Sequence, residues 1–155
     1  MKLPRTRLRP ILLFSLAAIL LASPLGAAEP APQVVQLKIG TILATNQANC
    51  LDSQLAKIKQ QLEVIKYRCY RLIKEETQKG AWQANTVFEI PGSRSLVVMP
   101  NEFRNERISL KVRLLEGERP IVDTTVRFPN KGNFLLGGPA HEGGVLILSI
   151  SAMTQ

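Results

Sequence analysis

His141, the one histidine of the chain, stands beside Glu142 between two glycine pairs, Gly137-Gly138 and Gly143-Gly144. An imidazole next to a carboxylate has the types for acid–base work or metal binding, and a glycine-rich loop has the backbone freedom to cradle phosphate. The spacing argues against each. Neighbouring residues in an extended loop point apart, and a zinc site would need further histidines or cysteines in register. A phosphate cradle would end in Gly-Lys-Ser/Thr and lead into a helix, whereas Val145-Leu146-Ile147-Leu148 reads as a strand. Glycines here serve a tight chain reversal more simply. No Gly-x-Ser-x-Gly and no Cys-x-x-Cys occurs, so serine-nucleophile and dithiol chemistry lack their signatures. The expectation is a protein that is not an enzyme and carries no metal or cofactor. A pocket beside loop 137–144, serving a ligand or an enzymatic step, is the alternative. The same loop, with Gly137, Gly138, His141 and Glu142, is also a candidate interaction tip.

Two other groups could act. Cys50 and Cys69 either form a disulfide or remain two buried thiols, and spacing alone does not decide between them. Lys57, Lys59, Lys66, Arg68 and Arg71 outnumber the nearby acids. On one helix face they would form a stripe for anionic surfaces, although a solvated face is the simpler explanation.

Elements must position these residues. Phe134 to Ala152 holds two apolar runs around the glycine loop, which is the pattern of a core hairpin. Val145 to Leu148 is apolar at every position, so that strand needs cover on both faces and belongs inside a sheet. Arg107 to Leu115 alternates, with Ile108, Leu110, Val112 and Leu114 on one face and Arg107, Ser109, Lys111 and Arg113 on the other. Val34 to Thr45 and Pro120 to Phe128 alternate in the same way. Pro91-Gly92, Glu116-Gly117-Glu118 and Pro129-Asn130-Lys131-Gly132 mark the turns.

One segment breaks the strand pattern. Asp52 has the type of a helix N-cap, and Leu51, Leu55, Ile58 and Leu62 follow at helical spacing. Ile65, Cys69 and Leu72 extend that spacing towards Gly80, yet Tyr67 to Ile73 is rich in β-formers. The chain is read as a helix that ends near Glu63 to Lys66, then a strand to about Gln78. One helix from Leu51 to Gly80 is the competing reading.

Residues 1–28 have the three parts of a secretory signal. Lys2, Arg5, Arg7 and Arg9 lead, an apolar run spans Ile11 to Leu21, and small residues precede a cleavage point after Ala28. The run is shorter than the ~20 residues a bilayer crossing requires, so cleavage is expected, with no transmembrane span afterwards. The whole chain has 20 basic and 12 acidic residues, and four of the basic ones lie in this leader. The rest therefore carries 16 against 12. That mild excess, with few aromatics, does not suit a nucleic-acid binder. Residues 29–33 read as a flexible terminus and 34–155 as one domain, long enough for a real core. The expected fold is α+β: an N-terminal amphipathic helix on a mainly antiparallel sheet or sandwich, with the C-terminal hairpin central.

Thr124-Thr125-Val126-Arg127-Phe128, followed by Asn133-Phe134-Leu135-Leu136-Gly137-Gly138, resembles the end of the secretin homology region of bacterial outer-membrane secretion channels. The mature chain also resembles small, uncharacterised exported bacterial proteins. These share an Asp-led helix, a Tyr-x-x-Tyr-Arg-Leu segment (Tyr67 to Leu72), a Pro-Gly-x-Arg turn (Pro91 to Arg94) and a closing Gly-Gly-Pro hairpin. After Gly138 the chain departs from the channel pattern, because Pro139-Ala140-His141-Glu142 replaces an apolar continuation. The resemblance implies a periplasmic or secreted location in the cell envelope. It also implies association with another envelope protein or with itself, and it transfers no functional residue.

Overall fold

Alternation of apolar and polar side chains dominates from Val34 onwards, and the chain folds accordingly into strands. The computed structural model describes Gly26 and residues 34–155. The expected signal segment 1–28, apart from Gly26, and the terminus 29–33 lie outside the described residues. Among the described residues nine strands occur in chain order: β1 (Val34–Thr45), β2 (Cys50–Leu51), β3 (Cys69–Ala81), β4 (Thr86–Ile90), β5 (Arg94–Arg104), β6 (Arg107–Glu116), β7 (Arg119–Pro129), β8 (Asn133–His141) and β9 (Gly144–Met153). They form one sheet of order β2-β3-β1-β9-β8 and a second of order β4-β5-β6-β7. All pairings are antiparallel except β2 with β3.

The two sheets face each other across one core. Val35, Leu37 and Ile39 of β1 and Leu146, Leu148 and Ile150 of β9 meet Leu96 and Val98 of β5 and Ile108, Leu110, Val112 and Leu114 of β6. Each contributes every second residue of its strand, because successive side chains point to opposite faces. The clean alternation of β6 thus becomes one buried and one outward row.

The α+β expectation is overturned. The architecture is mostly β, with two sheets, and its helical part is one short stretch. That stretch is a 3₁₀ segment, Ser53–Ile58, continued by α1 (Lys59–Glu63). It lies on the outward side of the first sheet, where Leu55 and Leu62 pack on Ile42, Ala44, Tyr70 and Ile147. This second cluster explains why Ile147 is apolar as well as its neighbours, since β9 has cover on both faces over that half of its length.

Local bonding ends the helix. The Tyr70 hydroxyl donates to the carbonyls of Leu62 and Ile65, at 2.9 Å for Leu62, and accepts from the Tyr67 amide at 3.2 Å. The same carbonyls accept from the backbone in tight turns, Ile65 N to Leu62 and Tyr67 N to Ile65, both at 2.9 Å, in place of the bonds a longer helix would make. Asp52 caps the start, its carboxylate accepting from Gln54 N at 3.0 Å and from Leu72 N of β3 at 3.3 Å. Helical spacing beyond Glu63 therefore carries no helix, and the β-formers from Cys69 onwards run as β3.

The hairpin also differs from the eight-residue loop expected over 137–144. Strand β8 runs through Gly137 and Gly138 to His141, and only Glu142 and Gly143 turn, both at positive φ (44° and 76°). Gly144 is required by approach, because a Cβ there would collide with the Ala44 carbonyl oxygen. The hairpin is central only in part: β9 sits between β1 and β8, whereas β8 is the edge of its sheet.

Candidate interaction edge

An edge strand exposes a row of unpaired backbone groups, and folded proteins normally block such rows. Two long sides of this sandwich bring edges of the two sheets together. On one side β4 lies beside β3, which becomes the edge of its sheet beyond the two residues, Cys69 and Tyr70, that pair with β2. Lys74 Nζ donates to the Glu89 carbonyl at 2.8 Å, and Gln78 Nε2 donates to the Val87 carbonyl at 3.0 Å. Side chains of β3 thus occupy the carbonyls that β4 would offer to another strand.

The opposite side, β7 against β8, is built differently. Among the described residues no ladder joins these strands and no hydrogen bond crosses between them. The core shows the same opening. Five partly buried apolar residues pack against the main cluster, and four of them are Ile121 and Val122 on β7 and Phe134 and Leu136 on β8. Asn133 to Ala140 carries no charged residue. The usual guards, Lys on the edge or an inward charge, are missing there, and only Pro139 and the irregularity between Gly137 and Ala140 interrupt it.

The seam is pinned at its two ends. At one end, Asn130 exchanges two hydrogen bonds with the backbone of Thr154, at 2.9 and 3.0 Å, and Lys131 N donates to the Ala152 carbonyl at 3.1 Å. At the other, the largely buried Arg94 gives Nε to Glu116 at 3.0 Å, Nη1 to the Pro91 carbonyl at 3.0 Å and Nη2 to the Ala140 carbonyl at 3.3 Å. Between these pins, the middle of β8 has one paired and one free edge.

The residues singled out in the sequence fall in separate places. Gly137 and Gly138 lie on β8, and Gly137 has open space where a side chain would project. His141 ends β8 half-buried, with Nε2 3.7 Å from Glu142 Oε1. The positive φ of Glu142 turns its side chain back, so these neighbours do not point apart as an extended loop would have them. No group of three His, Cys, Asp or Glu side chains is placed to hold a metal among the described residues. Cys50 and Cys69 are joined as a disulfide between β2 and the start of β3.

The basic residues do not form a helix stripe, because the helix ends before three of them. Lys57 lines a shallow depression with Lys38 and Glu75. Lys59, 3.7 Å from Glu63, shares another with Arg68, whose Nε donates to Asn49 at 3.0 Å. Lys66 is exposed in the connection to β3, and Arg71 is exposed on β3 itself. No protein-family model matches the chain, and neither does a curated protein or a solved structure.

Sequence reasoning missed the seam, because which strands become edges is a property of topology. The uncharged run from Asn133 to Ala140 was its only local sign.

Proposed function

We propose that this chain is a non-catalytic, exported envelope protein that works by associating with another protein. A strand of the partner, another envelope protein or a second copy, adds at the β7–β8 seam. The unlatched seam carries the reading: β3 and β4 are bonded through side chains, whereas β7 and β8 are not. An added strand would satisfy backbone groups of β8 and cover Val122, Phe134 and Leu136, which gives affinity through main-chain bonds and specificity through side-chain pockets. The segment that resembles the secretin homology region, Thr124–Phe128 with Asn133–Gly138, borders this seam on both sides, which supports an association role.

The export part rests on the leader, and the Cys50–Cys69 disulfide is compatible with an oxidising compartment. N-terminal sequencing of protein recovered from envelope and culture fractions should read from Glu29. An N-terminus at Met1 in a soluble cytoplasmic pool would refute export.

The association part is tested by a photo-crosslinking residue in place of Leu135, irradiated in intact cells. One discrete adduct is expected. Gly137→Lys places a charge on the free edge where there is room for it, and it should abolish the adduct while the thermal melt stays unchanged. Survival of the same adduct in Gly137→Lys would end the strand-addition reading.

A further inference from the structure

The helical stretch covers only half of the outward face of the first sheet. Over the other half, three adjoining depressions form a lysine-bordered trough across β1, β3 and β9. One depression holds Gly40, Lys57, Glu75 and Ser149, with Lys38 and Ser151 on its boundary. Lys38 and Ser151 also line the next, with Thr77 and Lys131. Gln36 and Met153 connect that one to the last, beside Lys79 and Gln155. Along β1 the trough runs from Gly40 to Val34, roughly 20 Å at strand spacing.

Its chemistry is one-sided. Four lysines line it against one acid, Glu75, which Lys38 engages at 3.0 Å. Lys57, Lys79 and Lys131 have no acidic partner among the described residues. Between them lie hydroxyls and amides, from Ser149, Ser151, Thr77 and Gln36, alongside aliphatic carbons of Val34, Leu72 and Met153. No aromatic ring and no arginine lines it. Base stacking, the usual support of single-stranded nucleic-acid binding, is therefore unavailable. A flat bilayer would meet the rims of a concave face, whereas an extended chain could lie along its floor.

We infer that this trough binds an extended, hydroxyl-rich polymer bearing regularly spaced carboxylates or phosphates. The lysines neutralise the negative groups, and the hydroxyls and amides bond the units between. Lys131, whose backbone also pins one end of the β7–β8 seam, is shared with the β8 side; the middle of β8 lies outside the trough, so the two proposals are tested independently.

Affinity electrophoresis of the purified protein tests it, with polygalacturonate and poly(glycerol phosphate) as the two anionic probes. Binding to at least one is expected, weakening as salt rises, and the preferred probe identifies the anionic group. The triple variant Lys57→Gln/Lys79→Gln/Lys131→Gln should bind about 100-fold more weakly at low salt, the loss expected of three charge contacts. Lys66→Gln/Lys111→Gln/Arg113→Gln changes net charge equally outside the trough and should bind like the parent. Thr77→Trp, at an exposed position of β3, obstructs the trough without altering charge and should weaken binding while the melt is unchanged. The inference is overturned by failure of both probes to bind at low salt, by equal loss in the two triple variants, or by an unaffected Thr77→Trp. Equal or tighter binding to phosphatidylglycerol vesicles or oligothymidylate overturns it as well.

Discussion

Cys50 and Cys69 are register partners in the β2–β3 pairing, and a disulfide joins them with their Cα atoms 4.3 Å apart. The bridge closes the excursion that carries the helical stretch, 19 positions along the chain. It holds Leu55 and Leu62 over Ile42 and Ile147. Closing a loop of this size restricts the unfolded chain by roughly 3 kcal/mol in the chain-entropy model. Cys50→Ser/Cys69→Ser should therefore lower the urea-unfolding free energy by about 2–4 kcal/mol, with the second sheet folded as before. A loss below about 0.5 kcal/mol would mean that the excursion is ordered without its bridge.

Tyr70→Phe isolates the helix stop. The ring stays, and the hydroxyl that serves the Leu62 and Ile65 carbonyls and the Tyr67 amide goes. Ile65 N still donates to the Leu62 carbonyl and Tyr67 N to the Ile65 carbonyl, so the loss is that of the added bonds, about 0.5–1.5 kcal/mol. A destabilisation in that range by denaturant titration is expected, with faster amide exchange confined to residues 62–70. A neutral result would deny the hydroxyl its capping role.

Two glycines of one hairpin should respond oppositely to the same change. Gly144→Ala drives a methyl into the Ala44 carbonyl, a backbone atom held in the β1–β9 ladder, and should cost about 1–3 kcal/mol or more. Gly137→Ala meets open space, and the shift should stay within about 0.5 kcal/mol of zero. Thermal melts of the pair decide it, and equal melting temperatures would contradict the close approach.

Arg94→Met keeps the apolar stem and removes three bonds, to Glu116, Pro91 and Ala140. Those bonds tie the β4–β5 turn and β6 to the end of β8. A loss of about 1–3 kcal/mol is expected, and Glu116→Gln should recover only part of it because the two backbone acceptors remain unserved. Proteolysis near Ala140 should accelerate in Arg94→Met. Unchanged cleavage would show that the hairpin end is held by other contacts.

The strands were legible where their signal is local. Ile108, Leu110, Val112 and Leu114 are buried as their alternation requires, since a period of two depends only on the pleat. The unbroken run Val145 to Leu148 correctly demanded cover on both faces. Leu55 and Leu62 also kept their helical spacing. The helix they predicted ends at Glu63, within the expected stretch, but much of it is 3₁₀ and it covers only part of one sheet face, so it makes no layer of its own. The basic stripe failed for the same reason: without a longer helix, Lys57 and Arg68 face different depressions. Nothing near Gly144 in the chain announces the Ala44 carbonyl, 100 positions away.

A sandwich bonded along one long side and pinned only at the corners of the other has a preferred place to breathe. Local opening takes the path with fewest buried apolar contacts and fewest backbone bonds. That path is the peeling of β8 from β9, and the β3–β4 side should be the last to let go. Under native conditions the amides of Leu135, Leu136 and Gly137 should therefore exchange well before those of Ile108, Leu110 and Val112. The partly exposed ring of Phe134 would be the first part of the core to reach solvent, and the molecule would open along β8 as a book opens from its unbound edge.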